Sequence, residues 1–334
     1  MTSTMPDARL NALGLSTAQV EECQDRDLPG VLGRVSRVDR GFATIETAQG
    51  ALRIETQASQ ELVVGDWLGG TADQAVLLTR HSELARLGGP HKDQRQTVVA
   101  NVDLVVIVHS AVAQFRLELL STFLVMAYDA GAEALVVISK SDLIDDADAV
   151  ANHISTKLGG VETMTMSTAT GYGLNALRQR IKDQSIVLLG ESGTGKSTLT
   201  NELSGSEQLT AGELSRSGQG KHTTTHRELI VLPTGGVVID TPGVRDAASF
   251  SGEHGIAMAF HDICDVVPHC RFSDCEHGDT AGCAVSEALA SGALDLERVT
   301  AYLAEIAQRT AITLRAEERQ RSSASSARGR RPKA

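Results

Sequence analysis

Short apolar runs, separated by polar and glycine-containing breaks, divide the chain into segments of different periodicity. Residues 1–29 show no sustained pattern, so we treat them as an N-terminal tail. From residue 31 to about 78, apolar and polar positions partly alternate in short runs punctuated by Asp39-Arg40-Gly41 and Gln49-Gly50. Several short strands at this spacing predict an all-β, OB-like barrel over residues 30–80. Such a barrel either binds RNA or only packs against its neighbour, and the pattern leaves both open.

Strands and helices alternate in the central part of the chain, after a polar segment at 80–100 that we interpret as a linker. Buried strands are predicted at 102–108, 134–138, 161–166, 185–189, 229–232 and 237–240. Helices are predicted at 115–129, 145–158, 173–183 and 196–203. Alternation of this kind indicates a mostly parallel sheet covered on both faces, which we assign to a central α/β domain at 81–250.

The last part of the chain is predicted to be mostly helical and to end in a basic tail. Apolar residues at helical spacing follow residue 288, and we assign a helical domain to 251–312. The formal net charge of the chain is −11, but residues 309–334 carry eight arginine and lysine residues against two glutamates. We expect residues 313–334 to be disordered and to serve either as an RNA-backbone contact or as a solubilising tail.

Composition limits the classes of protein to consider. The chain has 334 residues, 41% of them hydrophobic, which is enough for two or three domains with real cores. No apolar run is long enough to span a bilayer, and the N-terminus lacks a signal-peptide core, so we expect a cytoplasmic protein with no membrane partner. Four of the five cysteines follow residue 263, which favours a metal site in a reducing compartment over a disulfide framework.

A complete phosphate-loop pattern, G-x-x-x-x-G-K-[ST], lies between a predicted strand and a predicted helix. It consists of Gly190, Glu191, Ser192, Gly193, Thr194, Gly195, Lys196 and Ser197, with Thr198 next in the helix. The glycines let backbone N–H groups close around phosphates, and the helix N-terminus adds a favourable partial charge. We expect Lys196 to reach the β- and γ-phosphates and the Ser197 hydroxyl to bind Mg²⁺. The alternative is a glycine-rich turn without a ligand.

Two motifs upstream of the phosphate loop predict a guanine pocket. They are formed by Ser139, Lys140, Ser141 and Asp142, and by Ser167 and Thr168. A carboxylate at Asp142 accepts from both N1–H and the 2-amino group of guanine, a donor pair that adenine lacks. This carboxylate disfavours an ATP-dependent phosphotransferase, and Lys140 is expected to lie along the base. The alternative for Asp142 is a turn that caps the next helix.

Two candidate switch motifs follow the phosphate loop. Lys221-His222-Thr223-Thr224-Thr225 ends a long segment without periodicity, and Asp240-Thr241-Pro242-Gly243 ends a predicted strand. We expect Asp240 to hold Mg²⁺ through water and the Gly243 N–H to sense the γ-phosphate. One threonine of the first motif should also contact Mg²⁺. Spacing alone does not say which, and we favour Thr224.

The order of these motifs is unusual. In ordinary GTPases the phosphate loop comes first and the guanine motifs follow it. Here the guanine motifs at 139–142 and 167–168 come first, so we predict a circularly permuted GTPase domain. This order places the second switch directly before the C-terminal domain.

A compact group of cysteine and histidine residues follows the second switch. Cys270, Cys275, His277 and Cys283 lie within fourteen residues. Three thiolates and one imidazole are the ligands of a closed, tetrahedral structural zinc site, so we predict one structural Zn²⁺ per chain. The alternative is a set of unrelated buried cysteines. We expect Cys264 on the apolar face of a helix and Cys23 to be free.

The permuted motifs, the terminal Cys/His cluster and the run Gly220-Lys221-His222-Thr223-Thr224-Thr225 resemble one family. It is the family of small-ribosomal-subunit-dependent GTPases of bacteria, which act late in assembly of the 30S subunit. The similarity covers roughly residues 30–310. Other matching stretches are Val64-Gly65-Asp66-Trp67, Val99-Ala100-Asn101-Val102-Asp103 and Phe260-His261-Asp262.

The resemblance implies an OB domain, a permuted GTPase domain and a zinc-binding domain, and GTP hydrolysis that the small subunit stimulates. It implies GTP, GDP, the 30S subunit and its 16S rRNA as partners of a monomer. Val244 stands where many GTPases have a water-orienting glutamine. The resemblance implies His222 as the catalyst in its place, acting with Lys196 and Thr224; a packing role is the alternative for His222. The family usually has Asn or Thr at Ser139 and Ala at Thr168.

Two functions from different classes follow from these observations. The preferred one is a GTP-hydrolysing switch that docks on the small ribosomal subunit and leaves when GTP is cleaved. The other is an RNA-binding module in which nucleotide only gates the shape of the protein. Val244 in place of glutamine favours the second function, whereas His222 favours the first.

Overall fold

A computed structural model describes residues 7–56, 61–88, 94–205, 228–240, 252–278 and 280–328. The predicted switch residues His222, Thr224, Gly243 and Val244 lie outside these ranges. Asp240 and the phosphate-loop, guanine-side and Cys/His residues named above are all described.

The N-terminal domain contains the predicted small β-barrel. Its strands are β1 (Val31–Asp39), β2 (Phe42–Thr47), β3 (Gly50–Glu55), β4 (Trp67–Gly70) and β5 (Ala75–Leu77). They pair antiparallel in the order β3-β2-β1-β4-β5. Strand β1 pairs with both β2 and β4 and shifts register twice, which bends it around the small core. Val35, Ile45 and Leu68 fill that core and are almost fully buried.

The segment predicted to be a tail is helical over part of its length. Helices α1 (Ala8–Ala12) and α2 (Thr17–Asp25) follow one another there. Leu10, Leu13 and Cys23 are buried in the large core that continues into the central domain. The sequence shows no periodicity here because helices of five and nine residues are too short to display it.

The segment predicted to be a linker is a β-hairpin. Strands β6 (Glu83–Gly88) and β7 (Gln94–Ala100) pair antiparallel. Leu84, Val98 and Val99 of this hairpin are fully buried, although polar residues surround them in the sequence. The hairpin therefore belongs to the folded body and joins the barrel to the central sheet.

The central domain has the predicted α/β architecture. Its strands are β8 (Leu104–Ser110), β9 (Glu133–Ser139), β10 (Thr163–Thr165), β11 (Ser185–Leu189), β12 (Glu228–Val231) and β13 (Val237–Asp240). They lie in the order β10-β9-β8-β11-β13-β12, and β12 alone runs antiparallel to its neighbour in this described sheet. The helices are α3 (Leu117–Asp129), α4 (Ala147–Lys157), α5 (Leu174–Arg180) and α6 (Lys196–Ser204).

Helices cover both faces of this sheet, as predicted. Val105 and Ile107 of β8 belong to the same cluster as residues of α3 and α4. Val106 and Val108 belong to a second cluster with residues of α5 and α6. Each buried strand therefore sends alternate side chains to opposite layers.

The C-terminal domain is mostly helical. Its helices are α7 (Glu253–Ala259), α8 (His261–Cys264), α9 (Ala284–Ala290) and α10 (Leu296–Arg328). The predicted disorder of the basic tail is not seen over residues 313–328, because α10 continues through them. Nine of the sixteen residues at 313–328 are Arg, Ala or Glu, which favour helix. In the part of the chain described, no helix combines the length and apolarity needed to cross a bilayer.

Candidate functional site

The phosphate loop lies between strand β11 and helix α6, as the sequence predicts. The loop residues Gly190, Gly193 and Gly195 all have positive φ. At Gly190 a side chain is excluded as well, because a Cβ would lie 2.2 Å from the carbonyl oxygen of Val108. The turn thus brings the start of α6 to the carboxyl edge of the sheet, where its backbone N–H groups face outward.

The ammonium group of Lys196 is enclosed by this loop. Its Nζ donates to the carbonyl oxygen of Gly190 at 2.7 Å and also to that of Glu191. The residue is only 5% exposed, so the charge is held in place by backbone oxygens rather than by water. The Glu191 side chain points outward and pairs with Arg116 at 2.8 Å. Arg116 precedes α3 and carries no motif, so sequence reasoning did not find it.

Ser139 connects the first guanine-side motif to the phosphate loop. It ends strand β9, and its hydroxyl donates to the carbonyl oxygen of Thr194 at 2.6 Å and lies 3.2 Å from that of His109. Lys140 follows in a left-handed conformation, and its Nζ donates to the carbonyl oxygen of Gly193 at 2.9 Å. Two consecutive residues therefore brace two positions of the loop.

The two guanine-side motifs meet at Asp142. The Ser167 hydroxyl donates to Asp142 Oδ1 at 2.5 Å, and the Ser141 N–H donates to the carbonyl oxygen of Met166. A cavity of about 360 Å³ lies beside Asp142 and is bounded on its other side by Thr170 and Tyr172. The carboxylate is exposed, and a neighbour fixes its orientation.

Asp240 ends strand β13, next to the strand that leads into the phosphate loop. In the parallel pairing, Val187 lies opposite Ile239, so Asp240 is at the same sheet edge as Gly190. His109, near the end of β8, is 3% exposed, and burial lowers the pKa of its imidazole.

The volume of a cavity does not locate the nucleotide site in this protein. A cavity of about 740 Å³, larger than the one beside Asp142, lies at the opposite edge of the sheet and is lined by Asp103 and Gln184, which precede β8 and β11. No phosphate-binding loop or helix N-terminus of the central domain faces it among the described residues. The site is located by its chemistry, at the carboxyl ends of the strands.

The four predicted zinc ligands are brought together. The ligand atoms of Cys270, Cys275, His277 and Cys283 all lie within 4.8 Å of one another. His277 Nδ1 lies 3.5 Å from Cys270 Sγ and 3.9 Å from Cys283 Sγ. Tetrahedral Zn–S and Zn–N bonds place such atoms roughly 3.5 to 3.8 Å apart, so the set fits zinc.

Cys283 is prepared to act as a thiolate. It precedes α9, and the Ser286 N–H donates to its sulfur at 3.4 Å. Burial alone raises the pKa of this thiol, but its hydrogen bonds, first of all those with Ser286, lower the pKa to about 6. Cys264 ends α8 and packs against the apolar core, as predicted, and buried Cys23 is free.

A family described as RsgA GTPase matches residues 77–249 of the chain. The chain belongs to this family. Its relatives include the small ribosomal subunit biogenesis GTPase RsgA of Streptomyces coelicolor, 36% identical over 81% of this chain and 78% of the relative. A protein of the same name from Syntrophotalea carbinolica is 34% identical over 89% of this chain and 88% of the relative.

Solved structures agree with this assignment. The crystal structure of YjeQ from Thermotoga maritima matches with a TM-score of 0.62 and 26% identity over 83% of this chain and 98% of that one. The structure of YloQ, a circularly permuted GTPase, matches with a TM-score of 0.59 and 25% identity over 85% of this chain and 95% of that one. The permuted order predicted from the motifs is therefore confirmed, and an RsgA GTPase is a GTP hydrolase.

Proposed function

We propose that this RsgA GTPase binds the small (30S) ribosomal subunit and acts in its late maturation, hydrolysing GTP to GDP and phosphate as it does so. Support comes from the relatives, which are named small ribosomal subunit biogenesis GTPases. The observation that carries the proposal is the hydrogen bond from Ser139 to Thr194, because it joins the base-reading motif to the phosphate loop in one site. A site built in this way selects a guanine nucleotide rather than phosphate alone.

The nucleotide is held along the carboxyl edge of the central sheet. Asp142 reads the base, with Ser167 orienting its carboxylate, and Thr168 lies in the same loop. Lys196 exchanges its carbonyl contacts for the β- and γ-phosphate oxygens when GTP binds. Ser197, Thr224 and Asp240 hold Mg²⁺, which neutralises phosphate charge.

Hydrolysis needs a group that positions water, and we assign this role to His222. Val244 cannot polarise water, so turnover of the isolated protein is slow. A neutral imidazole at the edge of the switch threonines orients or deprotonates the attacking water. The small subunit brings His222 to that position, which couples hydrolysis to docking.

The C-terminal domain holds one structural zinc ion and, with the barrel, contacts 16S rRNA. Four ligands leave no open coordination position, so this zinc has no catalytic part. Arg315 and Arg321 are exposed on α10 and supply positive charge for the RNA backbone. The protein acts as a monomer in the cytoplasm.

GTP turnover measured with and without purified small subunits tests the proposal. Small subunits should raise the rate of GTP turnover well above the intrinsic rate. His222→Ala should lower the stimulated rate about 10²-fold and leave GTP binding largely unchanged. His226→Ala, four residues away, is the matched control and should stay near wild type. An RNA-binding module with incidental hydrolysis would instead bind subunits in a GTP-dependent way and show no stimulated turnover.

A further inference from the structure

The C-terminal domain is joined to the central domain by a buried arginine. Arg298, at the start of α10, is 4% exposed. Its Nε and Nη2 donate to the two carboxylate oxygens of Asp262 at 2.6 and 2.8 Å, and Nη2 also donates to the carbonyl oxygen of Ala259. Burial alone raises the pKa of Asp262, but the bonds from Arg298 outweigh it and hold the pKa below its usual range. This paired geometry is specific to a planar guanidinium.

The remaining nitrogen of Arg298 reaches across to helix α4. Nη1 donates to the carbonyl oxygen of Lys157, the last residue of α4, at 3.2 Å. The carbonyls of a last helical turn lack intrahelical partners, and a cation there also suits the helix dipole. Gly159, just beyond, has φ +77°, and a Cβ on it would lie 2.4 Å from Arg298 Nη2, so the two domains touch closely here.

A second contact reinforces the first at the same helix end. Lys157 Nζ lies 2.7 Å from Asp295 and 2.8 Å from Glu297, both at the start of α10. Asp295 also accepts the Arg298 N–H. Lys157 therefore holds the end of α4 against the first turn of α10 through both its backbone carbonyl and its side chain.

The other end of α4 supports the guanine side of the nucleotide site. Asp142 lies in the turn Ser141–Leu143, and only residues 144–146 separate this turn from α4, whose N-cap is Asp146. Asp148 accepts from the hydroxyl of Thr165, the last residue of β10, at 2.8 Å. β10 is a three-residue edge strand that leads to Ser167, so α4 supports both guanine-side motifs.

We infer that Arg298 is a positioning residue for guanine recognition, and that guanine-nucleotide binding and docking of the C-terminal domain stabilise each other through α4. This inference rests on the proposed guanine site. It adds that the position of the C-terminal domain affects the guanine-side motifs at Asp142 and Ser167, and not only the switch motifs next to the γ-phosphate. Coupling of this kind is reciprocal by thermodynamic necessity.

The test uses the full-length zinc-loaded protein and measures the Kd of fluorescent GDP by titration. Arg298→Met should raise this Kd about fivefold or more, at unchanged zinc content. Lys157→Met, which removes a partly exposed link and leaves the buried pair intact, should change it in the same direction by a smaller factor. Arg309 also lies in α10, where it forms an exposed pair with Glu253 of α7, so Arg309→Met should leave the Kd unchanged.

Because the two sites are expected to stabilise each other, bound GDP should also affect the release of zinc. A purely structural role of Arg298 would not produce this effect. GDP should slow the extraction of zinc by a chelator in the wild type, and this protection should be lost in Arg298→Met. A Kd within twofold of wild type in a folded, zinc-loaded Arg298→Met protein, or zinc release that GDP does not affect in the wild type, would overturn the inference. If Arg298→Met does not fold, an unchanged Kd for GDP in Lys157→Met would likewise overturn the inference. A wild-type protein that binds no GDP would refute the guanine site itself.

Discussion

The hydroxyl of Ser139 donates a hydrogen bond of 2.6 Å to the main-chain oxygen of Thr194, 55 positions further along the chain. The contact forms because β8 lies between β9 and β11, so the ends of these parallel strands share one sheet edge. The guanine-side motif and the phosphate loop thus become one unit, whatever their order in the sequence. Circular permutation changes the connections and leaves this edge intact.

Ser139→Ala should weaken GDP binding about fivefold, because a lost hydrogen bond of about 1 kcal/mol lets the phosphate loop and base motif move apart. Calorimetric titration with GDP measures the effect. Ser139→Thr keeps the hydroxyl and should stay within twofold of the wild type. Equal GDP affinity in Ser139→Ala and the wild type would show that other contacts suffice to align the two motifs.

Asp142→Asn should change base preference from guanine toward xanthine, because the amide presents a donor where the carboxylate accepts. Competition of GDP and XDP against a fluorescent guanine nucleotide measures the ratio of affinities. Asp145→Asn, an exposed neighbour, is the control and should keep the guanine preference. Binding of ATP by the wild type as tightly as GTP would contradict the assignment of Asp142.

Arg34→Met should destabilise the protein by about 3 kcal/mol or more, because the fully buried guanidinium joins the barrel to the central sheet. It donates to the carbonyl oxygen of Asn101 at 2.6 Å and to the Ser185 hydroxyl at 2.7 Å, and Ser185 begins the strand that leads to the phosphate loop. Burial lowers the pKa of Arg34 to about 10, so it stays charged at neutral pH.

Urea unfolding of Arg34→Met and of Arg37→Met, measured side by side, gives the free energy of unfolding of each variant. The comparison separates the loss of a buried arginine from the loss of a positive charge. Arg37 lies on the same strand and pairs with Asp39 at the surface, so its replacement should shift the free energy of unfolding by no more than about 0.5 kcal/mol. Similar losses in both variants would mean that the interior hydrogen bonds of Arg34 contribute little.

The predictions that hold are those carried by local patterns. The strand at 185–189, the glycine-rich turn and the helix from Lys196 are adjacent in sequence, so spacing alone places them. The Cys/His cluster is local in the same sense. Asp142 and Ser167 could be expected to meet because parallel strands end at one edge.

The predictions that do not hold concern segments stabilised by distant partners. The polar residues at 80–100 predict a linker, but the segment 83–100 is a hairpin, because the core that buries Leu84 is formed by residues distant in the sequence. Arg34 donates mostly to backbone carbonyls of other elements, and Arg298 makes two such bonds beside its pair with Asp262; a carbonyl acceptor has no sequence signature. Such interdomain contacts emerge only in three dimensions.

One zinc ion per chain should be bound by Cys270, Cys275, His277 and Cys283, because their ligand atoms already lie within 4.8 Å of one another. Metal analysis of the purified protein measures the stoichiometry. The double replacement of Cys275 and Cys283 by alanine should abolish binding and unfold the loop that carries them, since free energy of metal binding is free energy of folding in such a site.

Cys264→Ser is the matched control for this double replacement. Cys264 lies in the same domain and packs against the core without belonging to the ligand set, so its variant should retain one zinc. GDP binding should weaken in the zinc-free protein and remain measurable, because Lys196, Ser139 and Asp142 lie in the central domain. Unchanged zinc content in the double variant would show that the four residues are not the ligands.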